Sequence, residues 1–237
     1  MLFRSRCGTE HPEAWRRAVV ALGADGDLAF DGDGDRVLLA DAAGEVLDGD
    51  PVLHLLARDM KARRRLAGNR VVATVMSNLG LERTLAAARI ALDRVPVGDR
   101  HVAARMRETG AALGGEQSGH VLLAFDGVLV GDGLVAGVKA LQAARRRGST
   151  LADARREVPR FPQVLRNVRV ARKIPLDHAP SFAAKIRAEE AGLKGEGRVL
   201  VRYSGTEPLL RIMVEGSDAA QVKGVVDRLE IAAHQMA

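Results

Sequence analysis

Between Val71 and Arg146 short apolar runs alternate with segments of helical spacing. This alternation constrains the fold most, because it calls for α/β layering, a sheet covered by helices. Val71 to Val75 is a β-branched run, and Leu79 to Ala91 reads as a helix. Val102 to Thr109 is helical with Gly110 as its stop, and two short strands flank Gly115 to Gly119. Asp126-Gly127 marks a turn, and Asp132 caps a helix running to Arg146.

Upstream, Pro12 opens a helix whose Trp15, Ala18, Val19 and Leu22 share a face. A strand at Leu28-Ala29-Phe30 enters an acidic loop and returns over Val37 to Ala40, with a turn at Ala43-Gly44. Gly49-Asp50-Pro51 is predicted to cap the next helix, through Met60. Downstream of a linker near Pro159 to Pro162 the pattern changes to a small α+β unit. It has strands at Val164 to Val170, Arg198 to Tyr203 and Leu209 to Glu215, a helix from Pro180 to Ala191, and a last helix from Ser217-Asp218.

Composition removes several function classes. Nothing in the sequence approaches the roughly 18–20 uninterrupted apolar residues of a membrane span, and no secretory apolar stretch follows Met1. The one cysteine, Cys7, precludes an internal disulfide framework and suits a reducing cytoplasm. The net charge of +6 invites a nucleic-acid reading. Its distribution opposes that reading: the densest runs, Lys61 to Arg65 and Arg145 to Arg147, end predicted helices, where cations favour the dipole. Five Phe, one Trp and one Tyr leave little surface for stacking bases.

Three loops carry chemistry. In the first, Asp31, Asp33 and Asp35 stand at alternate positions with glycine between, followed by Arg36. Carboxylates so close repel unless a cation or protons intervene, and oxygen ligands of this hardness select Mg²⁺ or Ca²⁺. An EF-hand is excluded, because Arg36 occupies its glycine position and Ala42 its glutamate position; an acidic surface turn is the plainer alternative. In the second, Gly115-Glu116-Gln117-Ser118-Gly119-His120, Glu116 can accept from two sugar hydroxyls, Ser118 can donate or accept, and His120 can move a proton near neutral pH. Taken alone it reads equally well as a structural turn. The third, Arg202-Tyr203-Ser204-Gly205-Thr206-Glu207-Pro208 with Arg211, joins hydroxyls, backbone N–H groups and arginine forks into a phosphate cradle, or else into an ordinary hairpin loop. Glu207 is expected to face outward or to orient an arginine. Gly98-Asp99-Arg100-His101 either brings Arg100 to a cleft or starts a solvated helix.

The order of these loops, with Val75-Met76-Ser77-Asn78-Leu79-Gly80 and Val97-Gly98-Asp99-Arg100 between them, resembles the α-D-phosphohexomutase superfamily, in particular its phosphoglucosamine mutase branch. The resemblance runs from about Cys7 to the carboxyl end. It implies the second half of an α/β/α domain two over residues 1–48, a complete α/β/α domain three over 49–158, and a TATA-binding-protein-like α+β domain four over 159–237. It further implies interconversion of glucosamine 6-phosphate and glucosamine 1-phosphate through a 1,6-bisphosphate, in UDP-N-acetylglucosamine synthesis in the cytoplasm. Mg²⁺ would be held by Asp31, Asp33 and Asp35, and His120, Arg36 and Arg100 would take catalytic roles. Glu116 and Ser118 would hold sugar hydroxyls, and Arg202, Ser204, Gly205, Thr206 and Arg211 the non-reacting phosphate. The implied partner is a small phosphosugar, without nucleic acid or membrane.

The family's phosphoryl-carrying serine lies in a Thr-Ala-Ser-His-Asn-Pro type motif of domain one, and none of the seven serines here has that context. The expectation is a chain without turnover on its own. Leu2-Phe3-Arg4-Ser5 can be encoded by a sequencing adaptor, which suggests a reading frame cut at its amino end. A phosphomannomutase or phosphoglucomutase, and a non-catalytic phosphosugar-binding module, are the alternative functions.

Overall fold

The computed structural model describes residues 8, 9 and 11–235; Leu2 to Ser5 and Cys7 lie outside them. The chain divides into two compact units, Met1–Pro159 and Arg160–Ala237.

In the first unit helix α1 (Pro12–Leu22) leads into an antiparallel sheet of β1 (Gly26–Phe30), β2 (Val37–Asp41) and β3 (Val46–Leu47). Pro12 sits at the start of α1 and Gly23, at φ 61°, ends it. Helix α2 (Gly49–Ala62) follows, then β4 (Arg70–Thr74), α3 (Leu79–Ala87), β5 (Ala91–Val95) and α4 (Asp99–Thr109). The strands β6 (Leu113–Gly115), β7 (Val121–Phe125) and β8 (Val128–Val130) precede α5 (Gly133–Arg147) and α6 (Leu151–Glu157). The five strands form one sheet in the order β5-β4-β6-β7-β8, parallel through β5, β4 and β6 and antiparallel beyond. Alternate residues serve its two faces, as strand geometry requires. Val71, Ala73, Leu113 and Val121 join Leu53 of α2, Leu81 of α3 and Ala140 of α5 in the main core, while Val72 and Leu122 pack with Val102 and Met106 of α4. Helices on both faces make this the expected α/β/α arrangement.

The second unit is a sheet of β9 (Gln163–Arg169), β10 (Gly197–Tyr203) and β11 (Leu209–Gly216) in the order β10-β11-β9, all antiparallel, with α7 (Pro180–Gly192) and α8 (Ala219–His234). Val168, Leu210, Ile212 and Val214 pack with Phe182 of α7 and Val222, Val226 and Leu229 of α8. Arg228 clasps the buried Glu189 with two bonds, 2.9 and 2.7 Å, tying α8 to α7 and drawing the Glu189 pKa down to about 2.

Two sequence expectations need correction, and one helix is additional. The helix predicted from Leu79 to Ala91 ends at Ala87, because Arg89 takes φ 55° and Ala91 begins β5. The cap of α2 is Asp48, whose carboxylate accepts from Asp50 N–H at 3.1 Å; Gly49-Asp50-Pro51 is its first turn. Helix α6 is the additional element, opened by a reciprocal capping box of Thr150 and Asp153.

Candidate metal and phosphosugar site

The acidic loop is the tip of the β1–β2 hairpin, closed by the pairing of Phe30 with Val37, and Gly34 turns it at φ 74°. Asp31, Asp33 and Asp35 each offer an oxygen within 4.8 Å of the others. Arg36 folds back on them, its Nε 2.6 Å from Asp31 Oδ2 and 3.6 Å from Asp35 Oδ1. Burial pushes the Asp31 pKa up, but the Arg36 N–H, contacts with Asp35 and Asp33 and the Arg36 charge outweigh it, and the net shift is downward. Asp31 Oδ2 and Asp35 Oδ1 are closed off from solvent and face the Arg36 guanidinium. Shielded carboxylate oxygens in a cluster of three fit a hard divalent cation.

The second loop joins β6 to β7 and is folded by Glu116 N–H to His120 O (2.9 Å) and Gly119 N–H to Glu116 O (3.0 Å). Gly119 takes φ 98°, and a Cβ there would lie 2.4 Å from Val37 O, so only glycine serves. This close approach sews the second loop to the first. Val37 N–H donates to Gly119 O (3.1 Å), Arg36 and His120 form a β-bridge, and His120 Nδ1 lies 2.8 Å from Asp35 Oδ2. The start of α5 joins them through Gly133 N–H to Gly34 O, 2.9 Å. Glu116 Oε1 accepts from Gly98 N–H at 2.9 Å, which holds the amino end of α4 beside the loop. Arg100, in the first turn of α4, meets its neighbour His101 at 3.4 Å, and Ser118 is exposed.

Behind the loop stand two residues that sequence reasoning missed. Gly49 N–H donates to Gln117 O at 2.9 Å, and a Cβ on Gly49 would lie 1.9 Å from Glu116 O. Asp50 is 2% exposed, and its Oδ2 accepts from Asn78 N–H at 2.7 Å and Gln117 Nε2 at 3.4 Å. Burial, with the charge of Asp48, pushes its pKa up to about 7. In α2 the buried His54 moves the other way, to about 4, burial outweighing the nearby Glu157 carboxylate. Between about pH 4 and 6.5 folded Asp50 keeps a proton that the unfolded chain has lost, so its contribution to stability falls as pH rises. Over the same window the unfolded chain protonates His54 before the folded one does, so that contribution rises. The two slopes, about 1.4 kcal/mol per pH unit each, cancel. Asp50→Asn is expected to unmask the rise and His54→Gln the fall, measured as denaturant midpoints across pH 4–6.5; parallel profiles for all three proteins would contradict both shifts.

In the second unit the β10–β11 hairpin carries Ser204-Gly205-Thr206-Glu207-Pro208, closed by Ser204 N–H to Leu209 O at 2.8 Å. Arg202 and Arg211 are cross-strand partners, and burial together with the Arg211 charge lowers the Arg202 pKa. Arg211 Nη2 reaches Ser204 Oγ (3.4 Å) and Glu207 Oε2 (3.0 Å), so Glu207 orients an arginine. Gly205 and Thr206 are exposed at the tip. Lys173, not singled out in the sequence, donates to Ser204 O at 2.6 Å and Gly205 O at 3.2 Å. Among the described residues no helix is long and apolar enough to cross a membrane.

Residues 48–161 match the family model "Phosphoglucomutase/phosphomannomutase, alpha/beta/alpha domain III", and residues 165–232 match "Phosphoglucomutase/phosphomannomutase, C-terminal domain". A phosphoglucosamine mutase from Anaeromyxobacter dehalogenans is 49% identical over 93% of the chain and 48% of its own length. One from Rhizobium meliloti is 48% identical over 94% and 49%. The chain thus spans about half the length of the curated relatives it matches. Among solved structures, a phosphoglucomutase/phosphomannomutase family protein from Burkholderia thailandensis superposes with TM-score 0.76 at 24% identity, over 97% of this chain and 51% of that one. The N-acetylphosphoglucosamine mutase of Aspergillus fumigatus, in complex with GlcNAc-6P and magnesium, gives 0.75 at 19% identity, over 96% and 56%.

Proposed function

Because the chain belongs to the phosphoglucomutase/phosphomannomutase family, we propose that it serves a phosphoglucosamine mutase, binding glucosamine phosphates with Mg²⁺. The observation that carries this reading is the hydrogen-bonded seam between the acidic loop and the 115–120 loop, above all His120 on Asp35 at 2.8 Å. It sets carboxylates suited to a cation beside groups suited to sugar hydroxyls.

In this reading Asp31, Asp33 and Asp35 hold the Mg²⁺, which neutralises charge on a transferring phosphoryl group. Arg36 balances the carboxylates. Glu116, oriented by Gly98 N–H, accepts from sugar hydroxyls, Ser118 adds a second polar contact, and Arg100 flanks them. His120 is held by Asp35 in position to move a hydroxyl proton. In the second unit Arg202, Ser204, Gly205, Thr206 and Arg211 grip the non-reacting phosphate through hydroxyl, backbone and guanidinium donors. We assign residues 1–48 to the second half of domain two, 49–158 to a complete domain three and 159–237 to domain four, and a cytoplasmic role in supplying UDP-N-acetylglucosamine for peptidoglycan. No serine among the 237 residues stands in the carrier motif, so these residues alone are expected to bind without turnover.

Calorimetry of the chain with glucosamine 1,6-bisphosphate and Mg²⁺ tests this, with mannose and glucose 1,6-bisphosphates as competitors. Expected are tighter binding with Mg²⁺ than without, preference for the glucosamine compound, and at least about a tenfold loss of Mg²⁺ affinity in Asp33→Asn. Binding indifferent to both Mg²⁺ and Asp33 would sink the reading.

A further inference from the structure

A cleft of about 500 Å³ opens in the first unit between α2, α3 and the ends of α5 and α6, sharing no residue with the loops described above. His54, Arg58 and Lys61 contribute to it at i, i+4 and i+7 along one face of α2. Thr84, Arg147 and Glu157 complete its polar lining. Three cations against one carboxylate leave it positive.

The donors in this cleft are incompletely used. His54 is 1% exposed, yet neither ring nitrogen makes a hydrogen bond among the described residues; Glu157 Oε2 is 3.4 Å from Nδ1. Its lowered pKa keeps the ring neutral, so one nitrogen donates and the other accepts. Arg147 gives Nη2 to both oxygens of Glu157, at 2.8 and 3.1 Å, while its Nε is shielded without a partner. Lys61 spends two donors on Ala88 O and Arg89 O and keeps a third. The Arg58 side chain makes no hydrogen bond or ion pair among the described residues. Buried polar groups without partners are uncommon and costly, and here they gather around one positively charged opening.

We propose that this cleft is a second oxyanion site, taking inorganic phosphate or a phosphate monoester between Arg58, Lys61 and His54. The ligand oxygens accept from the Arg58 guanidinium and the free Lys61 proton, the buried His54 ring lines the cleft behind them, and the alanine wall of Ala62, Ala87 and Ala88 borders the remainder.

The test uses inorganic phosphate titrated into the full chain at constant ionic strength, with sodium chloride as the matched control. The His54 ring resonances, assigned by comparison with His54→Gln, report this cleft separately from the hairpin at 202–211. A saturable shift of the His54 signals is expected with phosphate and not with chloride, with affinity about tenfold weaker in Arg58→Met. Because the Arg58 guanidinium makes no hydrogen bond or ion pair among the described residues, that variant should unfold at the wild-type midpoint, which is to be verified. An unmoved His54, an equal response to chloride, or unaltered affinity in a folded Arg58→Met would each overturn the proposal. None of these outcomes bears on the metal or hydroxyl loops.

Discussion

Gly49→Ala is expected to dislodge the 115–120 loop and to cost about 3 kcal/mol of stability. The new Cβ would lie 1.9 Å from Glu116 O and 3.1 Å from Gln117 Cα, both backbone atoms with no rotamer to escape into. Either α2 or the loop must move, and movement breaks the Gly49 N–H bond to Gln117 O and loosens Gln117 on Asp50. For a unit of this size that loss lowers Tm by about 6–12 °C, read from Trp15 fluorescence. Affinity for the bisphosphate should fall with it, since Glu116 leaves its place beside Gly98. Gly192→Ala, which meets nothing within 4 Å, is the matched control and should be neutral. A Gly49→Ala protein with wild-type Tm and affinity would mean that the loop is not seated as described.

Asp41→Ala is expected to cost a similar amount, about 3 kcal/mol, by a different route. Asp41 is 1% exposed at the end of β2. One oxygen accepts from Ala43 N–H and Glu45 N–H, both at 3.0 Å, closing the turn to β3, and the other meets Arg155 Nε of α6 at 3.1 Å. Alanine strips all three bonds and leaves two backbone donors and a guanidinium to find water. Asp41→Asn keeps an acceptor for the turn and surrenders only the charge on Arg155, so it should cost about 1 kcal/mol. Urea denaturation of the three proteins separates the cases; equal midpoints for the two variants would show that the turn bonds carry no weight.

Much of this architecture was readable before any coordinates, for reasons that particular elements make plain. The α1 and α5 boundaries followed from Pro12 and from Asp132, whose carboxylate does accept from Val135 N–H at 2.9 Å. The Asp126-Gly127 turn takes positive φ at both residues, 48° and 82°, as that dipeptide favours in a tight hairpin. The end of α3 was illegible because Ala88-Arg89 favours helix locally, and only tertiary structure holds Arg89 at positive φ. Helix α6 was missed through its shortness and charge, although Thr150-x-x-Asp153 was a signal in plain view. In the candidate site, residue types and order single out the acidic and hydroxyl loops. What no spacing rule could supply was contact across the chain: His120 on Asp35, Glu116 on Gly98, and the buried Asp50 under Gln117. Asp50 looked like any acidic residue in a first helical turn, and its burial is a property of the packed unit.

The interlocking of the β1–β2 tip with the turn after β6 has a practical consequence for recombination between relatives. A crossover placed near residue 48 would inherit Gly34, Val37 and Asp35 from one parent but Gly133, Gly119 and His120 from the other, severing co-adapted partners. Breakpoints at residues 159–160 keep that set in single inheritance. Shuffled libraries should therefore yield folded progeny from exchanges at the later position and few from the earlier one.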